Sequence, residues 1–104
     1  MTMVQILYWR DIPAQVKIRN GRQRAARPLS PRFQEAIDAA AMHAKSTSTD
    51  DYLEDWHASD WENVEGDVEA LLDSWVARIE ADYPPHRLEE LRISKGYIEE
   101  RQDG

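Results

Sequence analysis

Tyr8–Arg27, YWRDIPAQVKIRNGRQRAAR, decides how the rest of the chain is to be read. Its centre is Asn20-Gly21, set between the alternating runs Ala14–Arg19 and Arg22–Ala26. Asn-Gly in that setting is the strongest short hairpin signal, because a type I′ turn needs positive φ at both central residues. With Asn20 and Gly21 as the loop, Arg19 pairs with Arg22 and Lys17 with Arg24. Side chains two apart share a face. Lys17, Arg19, Arg22 and Arg24 therefore project from one side, and Val16, Ile18 and Ala25 from the other. Like charges set opposite one another destabilise a strand pair, so this ribbon calls for hydration or an anionic neighbour. The Val16–Ile18 side is the one expected to be covered by helices.

Upstream, Met3–Trp9 alternates loosely and is rich in β-formers, which predicts a first strand. Arg10-Asp11-Ile12-Pro13 breaks it, since proline cannot donate to a ladder and pushes Ile12 towards extended geometry. Downstream, the periodicity turns helical. Ser30-Pro31 is a helix start, with serine to cap and proline at the first position. Phe33, Ala36, Ile37, Ala40, Ala41 and Ala44 then form an apolar stripe that ends near Lys45. Thr49 or Asp50 can cap a short second helix carrying Tyr52, Leu53 and Trp56. His57–Gly66 reads either as a loop anchored by Trp61 and Val64 or as a short extra strand. Asp67 caps the strongest helix, with Val68, Leu71, Leu72, Trp75, Val76, Ile79 and Tyr83 on one face. Pro84-Pro85 ends it, and a last short helix runs from Pro85 to about Ile93, stopping at Lys95-Gly96.

Strands first and helices after imply an α+β domain. The expected architecture is a three-stranded antiparallel sheet, the N-terminal strand plus the hairpin. Two main helices cover one face, with short extra helices. Residues 1–96 form the single domain and 97–104 a frayed polar tail.

The chain's 104 residues and ordinary hydrophobic content suit one modest core, in which four tryptophans supply much of the burial. With no cysteine, disulfides, thiolate metal sites and cysteine nucleophiles are excluded. No apolar run approaches the roughly 20 residues of a membrane span, and Met1–Leu7 lacks the features of a signal peptide. A cytoplasmic location is expected. The net charge of −7 is unevenly spread. Residues 1–45 carry eight bases and three acids, and residues 46–104 five bases and seventeen acids. Such asymmetry implies that the halves attract each other or that one meets a charged partner.

YWRDIPAQV, the basic hairpin, LSPRFQEAIDAAAMHA, DDYLEDW and VEGDVEALLDSWVARIEADYPPHRL together resemble a small bacterial family labelled "virulence factor". The resemblance spans roughly residues 4–92. Its most specific pieces are Tyr8-Trp9-Arg10-Asp11-Ile12-Pro13 and Tyr52-Leu53-Glu54-Asp55-Trp56. The label records a phenotype of larger relatives in which a similar domain is joined to helical repeats. The family has no agreed biochemical activity, so the resemblance implies no catalytic residue. Genes for similar chains neighbour folate- and corrinoid-dependent methyl-transfer genes in some bacteria, which implies an accessory role.

No catalytic signature is present. GxSxG, GxxxxGK and HExxH are absent, and His43, His57 and His86 are scattered, His43 at the edge of the helical stripe and expected to be partly buried. Asp50, Asp51, Glu54, Asp55, Asp60, Glu62, Glu65 and Asp67 lack the spacing of a calcium loop and read as caps and solvated charge. Asp55, beside Trp56 and His57, is the first place to look for acid–base chemistry. Arg10-Asp11 either orients a partner or forms a local ion pair at the strand exit. No aromatic interleaves with the bases of the ribbon, and the chain is acidic overall. Both features disfavour nucleic acid.

The leading expectation is a non-enzymatic accessory or adaptor domain binding another protein, one with an acidic surface, and requiring no cofactor or metal. Its site would be the hairpin bases Lys17, Arg19, Arg22 and Arg24 with Arg10 and the aromatics Tyr8, Trp9 and Trp56, the last three joined by Tyr52 in a surface patch. The alternative is a small-molecule-binding accessory of folate- and corrinoid-dependent methyl transfer, with a pocket between the sheet and the last long helix lined by Trp9, Trp56 or Trp75. Third comes anion or nucleic-acid backbone binding.

Overall fold

The computed structural model describes residues 2–44 and 53–97. Five antiparallel strands precede and interleave with three helices among these residues. The strands are β1 (Thr2–Trp9), β2 (Ile12–Asn20), β3 (Gln23–Pro28), β4 (Trp56–Ala58) and β5 (Glu62–Val64). The helices are α1 (Pro31–His43), α2 (Val68–Asp82) and α3 (Pro85–Ile93). The α+β architecture is as the sequence predicts, but the sheet has five strands rather than three. Its order is β3-β2-β1-β4, with β5 also paired to β1. β1 is thus central, hydrogen-bonded to β2 along one edge and to β4 and β5 along the other.

The two extra strands come from the ambiguous 57–66 stretch, and Trp56, expected on a helix, opens β4. Neither strand exceeds three residues, so neither has a periodicity of its own to read. Between them the register against β1 advances by one, from Leu7↔Ala58 to Val4↔Glu62. Ser59 bridges the break. Its N–H donates to the Ile6 carbonyl at 2.9 Å, and its Oγ accepts the Ile6 N–H at 3.0 Å. Extra residues of this kind re-aim side chains, and here the segment delivers Trp61 to the open face of the sheet. The remainder of the expected second helix lies outside the described residues, apart from Leu53 to Asp55.

The hairpin forms, but one position later than Asn-Gly suggested. Asn20 pairs with Gln23, so the loop is Gly21-Arg22. Only Gly21 of the two has positive φ, 60°, as a type II′ turn requires. β3 therefore slides two positions along β2: Arg19 faces Arg24, Ile18 faces Ala25 and Val16 faces Arg27. A slide of two preserves the faces, where a slide of one would invert them. Arg22, however, leaves the ribbon for the turn. The slide also sets Arg27 opposite Val16 on the helix side, where it pairs with Glu69 and Asp73 of α2. Pro13 does not break the sheet either. It sits within β2 at a bulge, where the pairing shifts from Leu7↔Gln15 to Tyr8↔Pro13.

The helices lie on the Val16–Ile18 side, as expected. Val4, Ile6, Val16 and Ile18 of the sheet are buried against Phe33, Ala36, Ile37 and Ala40 of α1, Leu72 and Ile79 of α2, and Leu88 and Leu91 of α3. Each large apolar side chain removed from water there contributes about 1.5–3 kcal/mol. The α1 stripe is mostly alanine, which allows close approach. Ser30 occupies the cap position of α1 but makes no side-chain cap. Its N–H and Oγ both donate to Glu80 of α2, at 2.8 and 2.9 Å. Arg32 joins this carboxylate and also donates to the Glu80 and Tyr83 carbonyls at 2.9 and 3.1 Å, closing the end of α2. Asp67 caps α2 as predicted, accepting from the Ala70 N–H.

The turn after α3 folds back on the first corner of the chain. Gly96, at φ 91°, donates to the Leu91 carbonyl at 2.7 Å and accepts from the Asp11 N–H at 2.8 Å. A Cβ at this position would lie 3.0 Å from Cζ3 of the Trp9 ring. The turn at Gly96 is thus packed against the end of β1.

Candidate functional site

The first half of the chain holds two classes of base, and the sheet separates them. Arg27 and Arg32 point to the helix side and meet the acids of α2. Arg10 is held at the β1–β2 corner. Lys17, Arg19 and Arg24 occupy the opposite, open face of the sheet, and Arg22 the turn beside them. Among the described residues none of these four forms an ion pair. The attraction between the acidic and basic halves therefore accounts for three of the bases and leaves the ribbon unneutralised.

Arg19 rests on an aromatic partner. Its guanidinium lies 4.3 Å from the centroid of the Trp61 ring, and one of its nitrogens is 3.8 Å from Met3 Sδ. This corrects the expectation that no aromatic joins the basic face. Trp61 is distant in sequence from the ribbon and reaches it only because β5 pairs with β1. Between these groups runs an open groove of about 360 Å³. Lys17, Arg19, Arg24, Ala26 and Trp61 line it on the open face, while the Ile18 and Ala25 side chains beneath point to the helix side. It combines one indole, one alanine and three cations, which is the composition of a surface that takes an anionic group.

None of the remaining expected site residues lines this groove. Trp9 is fully buried and forms part of the core, so it belongs to no surface patch. Arg10 adopts φ 56° and is held on several sides. Its Nε donates to Asp55 Oδ2 at 3.0 Å and its Nη1 to the Lys95 carbonyl at 2.8 Å. Its guanidinium lies 4.8 Å from the centroids of both Trp9 and Tyr97. Arg10 thus makes a long-range ion pair at this corner, and it occupies the Asp55 carboxylate that invited an acid–base reading. Trp56 is half-buried and packed against the core. Tyr52 lies outside the described residues.

Tyr8 stacks on the exposed His57 ring with 5.5 Å between centroids. Burial, reinforced by Tyr83 and Asp11, raises the Tyr8 pKa above the ordinary phenol value. Burial likewise raises that of Tyr83, where Arg87 opposes the shift and Asp11 and Asp82 add to it. Neither phenol is thereby activated, since both shifts favour the neutral form. His43 and His86 are exposed, which corrects the partly buried placement expected for His43. Among the described residues no three histidine or acidic side chains converge as metal ligands.

A family model described as "Virulence factor" matches residues 7–91. The chain belongs to the virulence factor family. The matched span holds the corner at Arg10, both hairpin strands with all four open-face and turn bases, Trp61, α1, α2 and α3 as far as Leu91; the Gly96 turn falls beyond it. No curated protein and no solved structure gives a significant match. No helix of the described residues is long and apolar enough to cross a membrane.

Proposed function

We propose that this virulence factor family domain is a non-enzymatic, cytoplasmic accessory module that binds another protein through the open face of its sheet. The residues that carry it are Lys17, Arg19, Arg22 and Arg24 with Trp61, and the partner presents an acidic surface. The single observation behind this reading is the division of the bases. Those on the helix side have acidic partners within the fold, whereas those on the open face surround a groove without one among the described residues. Arg19 and Arg24 stand directly across from each other, an arrangement that costs stability unless an anion lies near. Aromatic and arginine side chains together are the residues most enriched at the energetic centres of interfaces.

A methyl-transfer accessory with a pocket between the sheet and the last long helix gains no support of this kind. Trp9 is packed in the core, and the grooves at Lys17–Trp61, Thr2–Gly66 and Arg32–Arg92 are not lined by Trp9, Trp56 or Trp75. Nucleic-acid binding is disfavoured by the overall charge of −7, which repels an extended polyanion at long range. One face of the single indole is also already taken by Arg19.

The test is affinity capture from extracts of the encoding bacterium, comparing the native chain with Arg19→Glu/Arg22→Glu/Arg24→Glu. The triple variant is expected to lose the native partners while melting at nearly the native temperature, because none of the three side chains is buried. Recovery of the same partners by the variant would show the reading to be wrong.

A further inference from the structure

The conformation in which the partner binds follows from the open edge of β3. β3 pairs with β2 on one side and, among the described residues, with no strand on the other. The pair that closes a two-residue loop exchanges both backbone hydrogen bonds, and hydrogen-bonded and non-hydrogen-bonded pairs then alternate. With Asn20↔Gln23 as the closing pair, Arg24, Ala26 and Pro28 fall at non-hydrogen-bonded positions opposite Arg19, Lys17 and Gln15. Their backbone groups therefore point away from β2. Pro28 has no N–H to offer, which ends the usable edge. Arg24 and Ala26 each leave an N–H and a carbonyl facing outward, and both side chains are exposed on the basic face.

Charge and proline on an edge strand are common guards against unwanted pairing. Guarding accounts for Arg24 and Pro28. It does not account for the groove beside them, lined on this face by Ala26, Arg19 and Trp61. Nor does it account for the facing Arg19–Arg24 pair, which has no acidic partner among the described residues. We infer that the partner contributes an extended acidic segment that adds to β3 as a further strand, an assignment that rests on the protein-binding reading of this face and specifies its occupant. Its backbone pairs with Arg24 and Ala26. Every second side chain of an added strand lies on the basic face, about 4.8 Å beyond β3. Carboxylates at those alternate positions meet Arg24 and Arg22 and approach the Arg19 side of the groove.

The experiment measures fluorescence anisotropy of a labelled short peptide alternating glutamate and valine, at low ionic strength. Two N-methylated forms carry the methyl groups on one alternate set of residues or on the other. A strand that pairs along one edge loses affinity about tenfold when the β3-facing set is methylated and keeps it when the other set is. Ala26→Pro, which removes an outward N–H while keeping every base, is expected to weaken the unmodified peptide about tenfold as well. Arg24→Glu is expected to abolish binding. The methylated peptides need no variant protein, so the test stands even if Ala26→Pro fails to fold.

Equal binding of all three peptides, with Arg24→Glu still abolishing it, overturns strand addition and leaves side-chain docking on the face intact. Absence of peptide binding alongside charge-dependent capture of a protein partner overturns it in the same way. Equal displacement of every peptide form by an oligonucleotide assigns the face to polyanions, and both readings then fall.

Discussion

Replacement of Gly96 by alanine tests the closure of the domain. Gly96 has φ 91°, in the region that L side chains avoid at a cost of about 1–2 kcal/mol. The added Cβ would also stand 3.0 Å from Trp9 Cζ3, 3.2 Å from Arg10 Cδ and 3.3 Å from Arg10 Cβ. Neither neighbour can yield freely. Trp9 is completely buried, and Arg10 is tied to Asp55 and Lys95. Nor can Gly96 swing away without losing its bonds to Leu91 and Asp11. Overpacking in a filled site costs about 1–3 kcal/mol, which brings the expected loss for Gly96→Ala to about 2–5 kcal/mol.

Gly21→Ala supplies the comparison. Its φ is 60°, and a Cβ there meets nothing within 4 Å, so it carries backbone strain without a clash. Thermal unfolding followed by far-ultraviolet circular dichroism and tryptophan fluorescence reads both variants. In a domain of this size each kcal/mol moves Tm by roughly 4–8 °C, so Gly96→Ala should melt about 10 °C or more below the native chain, and Gly21→Ala should lie between the two. If Gly96→Ala melts no lower than Gly21→Ala, the turn after α3 is not packed on Trp9 and the reasoning fails.

Glu80→Ala removes the acceptor shared by the Ser30 N–H, the Ser30 hydroxyl and Arg32, and is expected to cost about 2–3 kcal/mol in urea denaturation. Asp38→Ala, which breaks only an exposed bond to Gln34, should change little; equal losses would show that Glu80 does not join α1 to α2. Burial raises the Tyr8 and Tyr83 pKa values above the ordinary phenol value of 10.0, so the folded state holds those protons to higher pH than the unfolded chain. The stability this contributes is fully present below pH 10.0 and is lost as pH rises through the folded values. Tyr8→Phe/Tyr83→Phe should flatten that alkaline decline in denaturation midpoints measured across pH, and an unchanged slope would refute the assignment.

Local chemistry in the sequence determined the element types. Ser30-Pro31, Asp67 and Pro84-Pro85 mark helix boundaries because proline and capping side chains act within a turn of their own position. Alternation in Val16–Arg19 set which side of the hairpin is buried, because faces follow parity and survive a slide of two. The register itself was decided by tertiary structure. Gly21 satisfies a type II′ turn as readily as Asn20-Gly21 satisfies type I′, and the observed pairing is the one that delivers Arg27 to Glu69 and Asp73. Tertiary structure also decided β4 and β5, whose three-residue strands carry no pattern until β1 offers its edge. The candidate site divides in the same way. Lys17, Arg19 and Arg24 were legible as a basic face from spacing alone. Trp61 on that face, Trp9 beneath the surface and Arg10 clamped by Asp55 and Lys95 were not, since each depends on segments more than forty residues apart meeting in space.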